Sequence, residues 1–220
     1  MKRLRLDLGH PEAEVLREAA RILEQGGILA LPTDTLYGLS CDPANRHALE
    51  SLHRLKNRPA SHRLPFLAAD VSQVCGLASL DSELARRLVD RFWPGPLTLV
   101  LPLTRPDRLA RWDWGETIAI RVPACPAARE LAREARRPIP ATSANRHGGA
   151  EVFDPDRLEP VLIGSLALLL DGGVLPSGPP STLVDITSSP PRLLRRGAVP
   201  AEALAAALGL PPSWDAPPLD

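Results

Sequence analysis

Apolar residues in this chain switch repeatedly between helical and strand-like spacing, and that alternation restricts it to an α/β architecture. Between positions 11 and 25, Val15, Ala19, Ile22 and Leu23 recur at helical spacing behind Pro11, a residue suited to a first helical turn. Gly26-Gly27 end that helix, and residues 28–31 form a short buried strand. Asn45 can cap a second helix whose Leu49, Leu52 and Leu55 face the core, and Pro59 opposes its continuation. The pattern predicts further strands over 64–68, 97–101, 117–122, 166–170, 182–186 and 192–195, with helices near 82–92, 126–136 and 200–208. Several strands follow one another without a long helix between them, so a mixed sheet is expected. No repeat is visible. The expected organisation is one domain over 1–208 and a loose tail over 209–220, where prolines crowd and little can be buried.

Composition narrows the function classes. Lys plus Arg and Asp plus Glu each total 26, and 44% of the 220 residues are hydrophobic, as in a soluble globular chain with a real core. A zero net charge argues against gripping nucleic acid by bulk positive charge, although a local basic cleft fits inside a neutral total. No apolar run reaches membrane-spanning length, and no apolar stretch follows the basic start as in a signal peptide. Cys41, Cys75 and Cys125 are scattered and read as reduced, mostly packed thiols of a cytoplasmic protein. His10, His47, His53, His62 and His147 show no metal-ligand spacing with them, so neither a structural metal nor a disulfide is expected.

Of the 26 Lys and Arg residues only two are lysine, and Lys56 is the one in the body of the chain. A flexible ammonium acts as a point charge where a planar guanidinium would impose a different geometry. Arg54, Arg58 and Arg63 lie close by, and such a group repels itself unless an anion sits among it. A solvated helix end remains an alternative for Lys56, and a solvated face for Arg54 and Arg63.

Three other segments place small polar residues after apolar strands, where ligands bind in α/β sheets. In 32–39, Thr33, Asp34, Thr35 and Tyr37 read either as a capping turn or as a ligand-facing loop. In 140–145, Ser143 and Asn145 offer directional hydrogen bonds beside small residues that admit an anion to the backbone, or form an ordinary polar turn. Ser181-Thr182 with Arg195-Arg196-Gly197 read equally as a strand start with an edge charge. Residues 93–98 read as a rigid structural turn. Arg121, inside an apolar run, needs either an ion-pair partner or a site to point into.

Together, PTDTLYGLSCD (32–42), LKNRP (55–59), FWPGPLTLVLP (92–102), IAIRVP (118–123), ATSANRHGG (141–149), STLVDI (181–186) and LLRRGAV (193–199) resemble, in order, the YrdC/TsaC family. These are the L-threonylcarbamoyladenylate synthases. The resemblance implies an open twisted mixed sheet with flanking helices and a large basic cavity, in the family's short single-domain form. It implies a nucleotidyltransferase that makes threonylcarbamoyl-AMP and pyrophosphate from L-threonine, bicarbonate or CO2, and ATP accompanied by Mg2+. The product would pass to a complex that modifies tRNA, with tRNA or double-stranded RNA as a further contact, in the cytoplasm and away from membranes.

By position, the resemblance assigns Lys56, Arg58, Ser143 and Asn145 to catalysis. It assigns Thr33, Thr35, Arg121 and Ser181 to threonine, and Arg58, His62, Thr117, Ala141, Ser143 and Arg195 to the nucleotide. Many members carry Asn-Pro-Leu where this chain has His62-Arg63-Leu64, often a histidine near Leu67, and Glu where it has Asp34. These departures keep a second class open: a catalytically silent RNA- or ribosome-binding paralogue using the same cavity. A carbamoyl-transfer domain fits less well, since such domains sit in longer chains rich in metal motifs.

Overall fold

The computed structural model describes residues 1–59, 62–146, 148–211 and 214. The first half of the chain runs β1 (Lys2–Arg5), α1 (Ala13–Glu24), β2 (Leu29–Leu31), β3 (Gly38–Ser40), α2 (Arg46–Leu55), β4 (Phe66–Leu67), α3 (Val71–Cys75), α4 (Glu83–Phe92) and β5 (Leu97–Pro102). The second half runs β6 (Thr117–Arg121), α5 (Pro126–Glu134), β7 (Ile139–Pro140), β8 (Thr142–Ser143), α6 (Pro160–Ser165), β9 (Leu168–Asp171), β10 (Thr182–Asp185), β11 (Arg192–Arg195) and α7 (Ala201–Leu208).

The expected mixed α/β architecture is present, its strands divided between two sheets. One has the order β1-β9-β2-β3-β8 and the other β11-β10-β5-β6-β4-β7. Both are mixed: β9 pairs parallel with β1 and β2, β2 antiparallel with β3, β10 parallel with β5, and β5 antiparallel with β6.

The first sheet is buried on both faces, which explains its continuous apolar strands. Leu29, Leu31, Leu168 and Leu170 pack with Leu16, Ala19, Ile22 and Leu23 of α1 and with Ala128, Leu131 and Ala132 of α5. Ala30, Leu39 and Leu169 face the other way, into a larger core shared with the second sheet. That sheet buries Leu97, Leu99, Leu101, Ile118, Ile120, Val184 and Leu193 on one face, and at its β4–β7 edge Leu67 and Ile139 pack against α5. The rest of the other face is left for the site.

Local signals set the helix ends. Asn45 Oδ1 accepts from Ala48 N at 3.1 Å, Asp70 Oδ1 from Gln73 N at 2.9 Å and Ser82 Oγ from Ala85 N at 3.1 Å, capping α2, α3 and α4. Helix α1 starts later than Pro11, behind Glu12 as N-cap. Part of the segment expected as a loose tail is docked: the Trp214 indole donates to Pro191 O at 2.9 Å. Residues 212–213 and 215–220 of that segment lie outside the described residues. Among the described residues no helix is long and apolar enough to cross a membrane.

Candidate active site

The free face of the second sheet is the floor of a cavity of about 480 Å³. Strand alternation sends Thr98 and Val100 of β5, Thr117, Ala119 and Arg121 of β6, and Leu183 and Asp185 of β10 to this face. Their apolar neighbours in sequence turn into the core. The registers place Leu183 opposite Thr98, Asp185 opposite Val100, and Val100 opposite Ala119. Thr33, Thr35 and Leu36 of the β2–β3 connection, Ala141 to Ser143 around β8, Arg58 and Arg63 after α2, Glu151, Ser181 and Arg195 build the walls. Segments remote in sequence therefore meet in one chamber.

Arg121 is both paired and aimed at the site. Its Nη1 lies 2.8 Å from Asp34 Oδ1, and its Nη2 donates to Thr35 Oγ1 at 3.1 Å. Burial pushes the guanidinium below its ordinary value, and Asp34 opposes that shift. Asp34 is itself held, its Oδ2 accepting from Ala124 N at 3.1 Å. Thr33 Oγ1 accepts from the amides of Thr35 and Leu36, each at 3.2 Å, so the turn is a self-closed hydroxyl turn as well as a cavity wall.

Lys56 is buried, 3% exposed, and does not line the cavity. It caps the C-terminal end of α2 and reaches the back of the β8 loop. Its ammonium donates to Ser143 O at 2.6 Å, Ser143 Oγ at 3.3 Å, Asn145 Oδ1 at 3.0 Å and also Asn145 O. Ser143 Oγ donates to Asn145 Oδ1, whose amide donates to Gly149 O. Burial, then the nearby Arg58, lower the Lys56 value to about 8, opposed by Glu159. Lys56 clasps the β8 loop, since Ser143 and Asn145 together offer the ammonium more oxygens than it has protons.

Arg58, Arg63 and Arg195 are cations that face the chamber. Arg58 Nε donates to His62 Nδ1 at 3.0 Å, and its Nη1 reaches Thr142 Oγ1 at 3.4 Å. His62 is exposed and stands behind Arg58, outside the cavity lining, and the buried Asn145 lies outside that lining too. Arg63 donates to Thr117 Oγ1 at 2.7 Å. Arg195 donates through Nε to Ser181 O at 3.0 Å and through Nη2 to Ser181 Oγ at 2.9 Å, and Ser181 Oγ meets Thr98 Oγ1 at 2.8 Å. Burial lowers the values of Arg58 and Arg195, and Arg121 lowers Arg195 further. Among the described residues no carboxylate lies within ion-pair distance of Arg58, Arg63 or Arg195. An anion entering the chamber would relieve that charge.

Within the β2–β3 wall loop, Tyr37 turns away from the chamber. It is fully buried; its hydroxyl donates to Gly173 O at 2.8 Å and accepts from Gly172 N at 3.0 Å, and burial raises it to about 12. Thr98, Thr142, Glu151 and Asp185 are cavity residues that sequence reasoning missed, whereas Arg63, read as either an anion-binding cation or a solvated face, lines the cavity. For Thr98 and Asp185 the signal was present, a polar residue at alternate positions of an apolar strand. Cys41 and Cys125 are buried and Cys75 exposed. Among the described residues no cluster of His, Cys, Asp and Glu could hold a metal ion; His147 lies outside them.

Gly197 is needed for close approach. A Cβ there would stand 2.3 Å from Pro180 O and 2.5 Å from Thr182 N, both backbone atoms. Gly197→Ala is therefore expected to destabilise the fold by about 1–3 kcal/mol through overpacking. The melting temperature should fall by about 2–4 °C per kcal/mol for a chain of this size. A variant melting with the parent would contradict this packing.

A model of the Sua5/YciO/YrdC family, described as telomere recombination, matches residues 21–197. The threonylcarbamoyl-AMP synthase of Bacillus subtilis (strain 168) is 38% identical over 196 residues, 88% of this chain and 56% of that protein. That of Vibrio vulnificus (strain YJ016) is 33% identical over 185 residues, 83% of this chain and 98% of its own length. The chain thus spans little more than half of the Bacillus relative and nearly all of the Vibrio one. Among solved structures, P. abyssi Sua5 complexed with L-threonine matches with a TM-score of 0.86 at 34% identity, covering 95% of this chain and 61% of that one.

Proposed function

The chain belongs to the Sua5/YciO/YrdC family, and from that premise we propose that it is an L-threonylcarbamoyladenylate synthase. It would act as a nucleotidyltransferase, converting L-threonine, bicarbonate or CO2, and ATP into threonylcarbamoyl-AMP and pyrophosphate. The observation that carries this reading is the cavity itself: Arg58, Arg63 and Arg195 face it without a carboxylate partner among the described residues. The triphosphate, bicarbonate and the carbamate formed from threonine are all anions. Bringing them together is the main catalytic task, and fixed cations in a shielded chamber perform it.

In this reading Thr33, Thr35, Arg121 and Ser181 hold the threonine half, with Arg121 kept in position by Asp34. Arg58, Thr117, Ala141, Ser143 and Arg195 hold the nucleotide half, and His62 orients Arg58. The carbamate oxygen attacks the α-phosphorus; a P–O bond forms as the bond to the β-phosphate breaks, and pyrophosphate leaves with its electrons. Arg58 stabilises charge on the phosphate oxygens, while Lys56 and Asn145 keep Ser143 and its backbone in register. Mg2+ arrives with the triphosphate as part of the substrate. A complex that transfers the threonylcarbamoyl group to tRNA would consume the product, in the cytoplasm.

Purified protein should release pyrophosphate from ATP only when threonine and bicarbonate are both present. Equal ATP turnover with and without threonine would defeat the reading.

A further inference from the structure

One carboxylate of the cavity floor has no part in the mechanism above. Asp185 ends β10 on the cavity face. Its Oδ1 accepts from Thr187 N at 2.8 Å and from Thr187 Oγ1 at 2.6 Å, which fixes the side chain. Its Oδ2 has no hydrogen-bond partner among the described residues. Arg192 lies opposite Asp185 in the β10–β11 ladder, yet it is exposed and no ion pair joins the two. Asp185 is therefore a fixed acceptor with one oxygen to offer.

Its surroundings define what it can receive. Val100 and Leu183 lie beside it on the floor, and Leu194 and Pro180 also line the chamber. The floor of this corner is apolar, with Arg195 opposite Leu183 at its β11 edge, whereas Arg63 lies toward Thr117, on β6 beyond β5. A flat apolar group with a hydrogen-bond donor on its edge suits the corner, and the cation at the far side suits the phosphates. Adenine has that form: its ring can lie on branched aliphatic side chains, and its exocyclic amine donates.

Building on the synthase reading, we propose that Asp185 reads the base of the nucleotide, its Oδ2 accepting from the exocyclic amine of adenine. A hydrogen bond to a charged acceptor discriminates strongly against a ligand that lacks the donor, because the acceptor is then left unpaired. Asparagine at this position retains an oxygen for Thr187 and turns an amide donor toward the adenine amine, so it keeps the local turn and opposes the base.

The test is direct titration of the wild-type protein and Asp185→Asn with three nucleotides. These are ATP, purine riboside triphosphate, which has hydrogen in place of the amine, and 2′-deoxy-ATP. The wild type should bind ATP at least about tenfold more tightly than the purine analogue. Asp185→Asn should erase that preference by weakening ATP alone, and leave the ratio of ATP to 2′-deoxy-ATP unchanged. A preference that survives the substitution, a change confined to the deoxy ratio, or no binding of ATP by the wild type would each overturn the proposal. Binding is read without turnover, so an absence of pyrophosphate formation would count against the synthase reading and leave this result standing or falling by itself.

Discussion

Lys56→Arg is expected to lower adenylate formation on the order of a hundredfold, the scale of losing one preorganised contact at a reacting centre. The ammonium sits among four oxygens of Ser143 and Asn145, at the end of a side chain only 3% exposed. A guanidinium is wider, binds through a planar fork and has no open side here toward which to turn. The β8 loop must shift to admit it, and Ser143 moves with the loop. The overpacking should cost about 1–3 kcal/mol of stability, so the variant folds but melts lower. Normal melting together with near wild-type turnover would show that the clasp is dispensable.

The same ammonium predicts opposite pH trends for activity and stability. Its native value of about 8 lies below its ordinary 10.5. Between those values the unfolded chain binds the proton that the native chain has lost, so this group adds stability as pH rises through the window. The clasp, however, needs the charged form with all three donors. Turnover should therefore fall along an alkaline limb near pH 8 while the Lys56 contribution to stability grows. An activity profile flat through pH 9 would contradict the clasp.

The second large effect concerns the Arg121–Asp34 pair, whose side chains are 7% and 12% exposed. Asp34→Ala leaves a buried guanidinium without its carboxylate, and breaking such a pair costs about 3–5 kcal/mol. For a chain of this size that corresponds to a melting temperature lower by roughly 6–20 °C. Threonine affinity should fall too, because Arg121 would no longer be held between Asp34 and Thr35. Asp34→Ala combined with Arg121→Met should recover most of the lost stability and none of the threonine binding. Recovery of both would make the pair purely structural; recovery of neither would mean that the turn fails for another reason. Melting curves and threonine titration of the single and double variants decide it.

Much of the fold is local information and was legible. The helices over 46–55, 83–92 and 126–134 follow from apolar spacing and from caps such as Asn45 and Ser82. The strands 117–121 and 182–185 follow from their apolar alternation, and Arg121 was marked by its place inside one of them. Among the short elements, β2 and β4 fall inside the strands expected over 28–31 and 64–68, while others were not legible. Strand β3 spans three residues of a motif rich in polar groups, and it is a strand only because β2 and β8 flank it. Helix α6 is a six-residue segment holding only one fully buried residue, Leu162, too little for a periodic signal.

The sequence by itself determined the alternating α/β plan and the set of polar segments from which a site could be made. Only the tertiary structure decided what each side chain of those segments does. Lys56 meets Ser143, and Arg121 meets Asp34, each across 87 residues of chain. Periodicity and capping act over a few residues and cannot specify such partners. Tyr37 turned inward, Lys56 became a clasp and Asp185 reached the cavity floor because sheet pairing brought distant segments together, and burial then required each polar atom to find the oxygen or donor within reach.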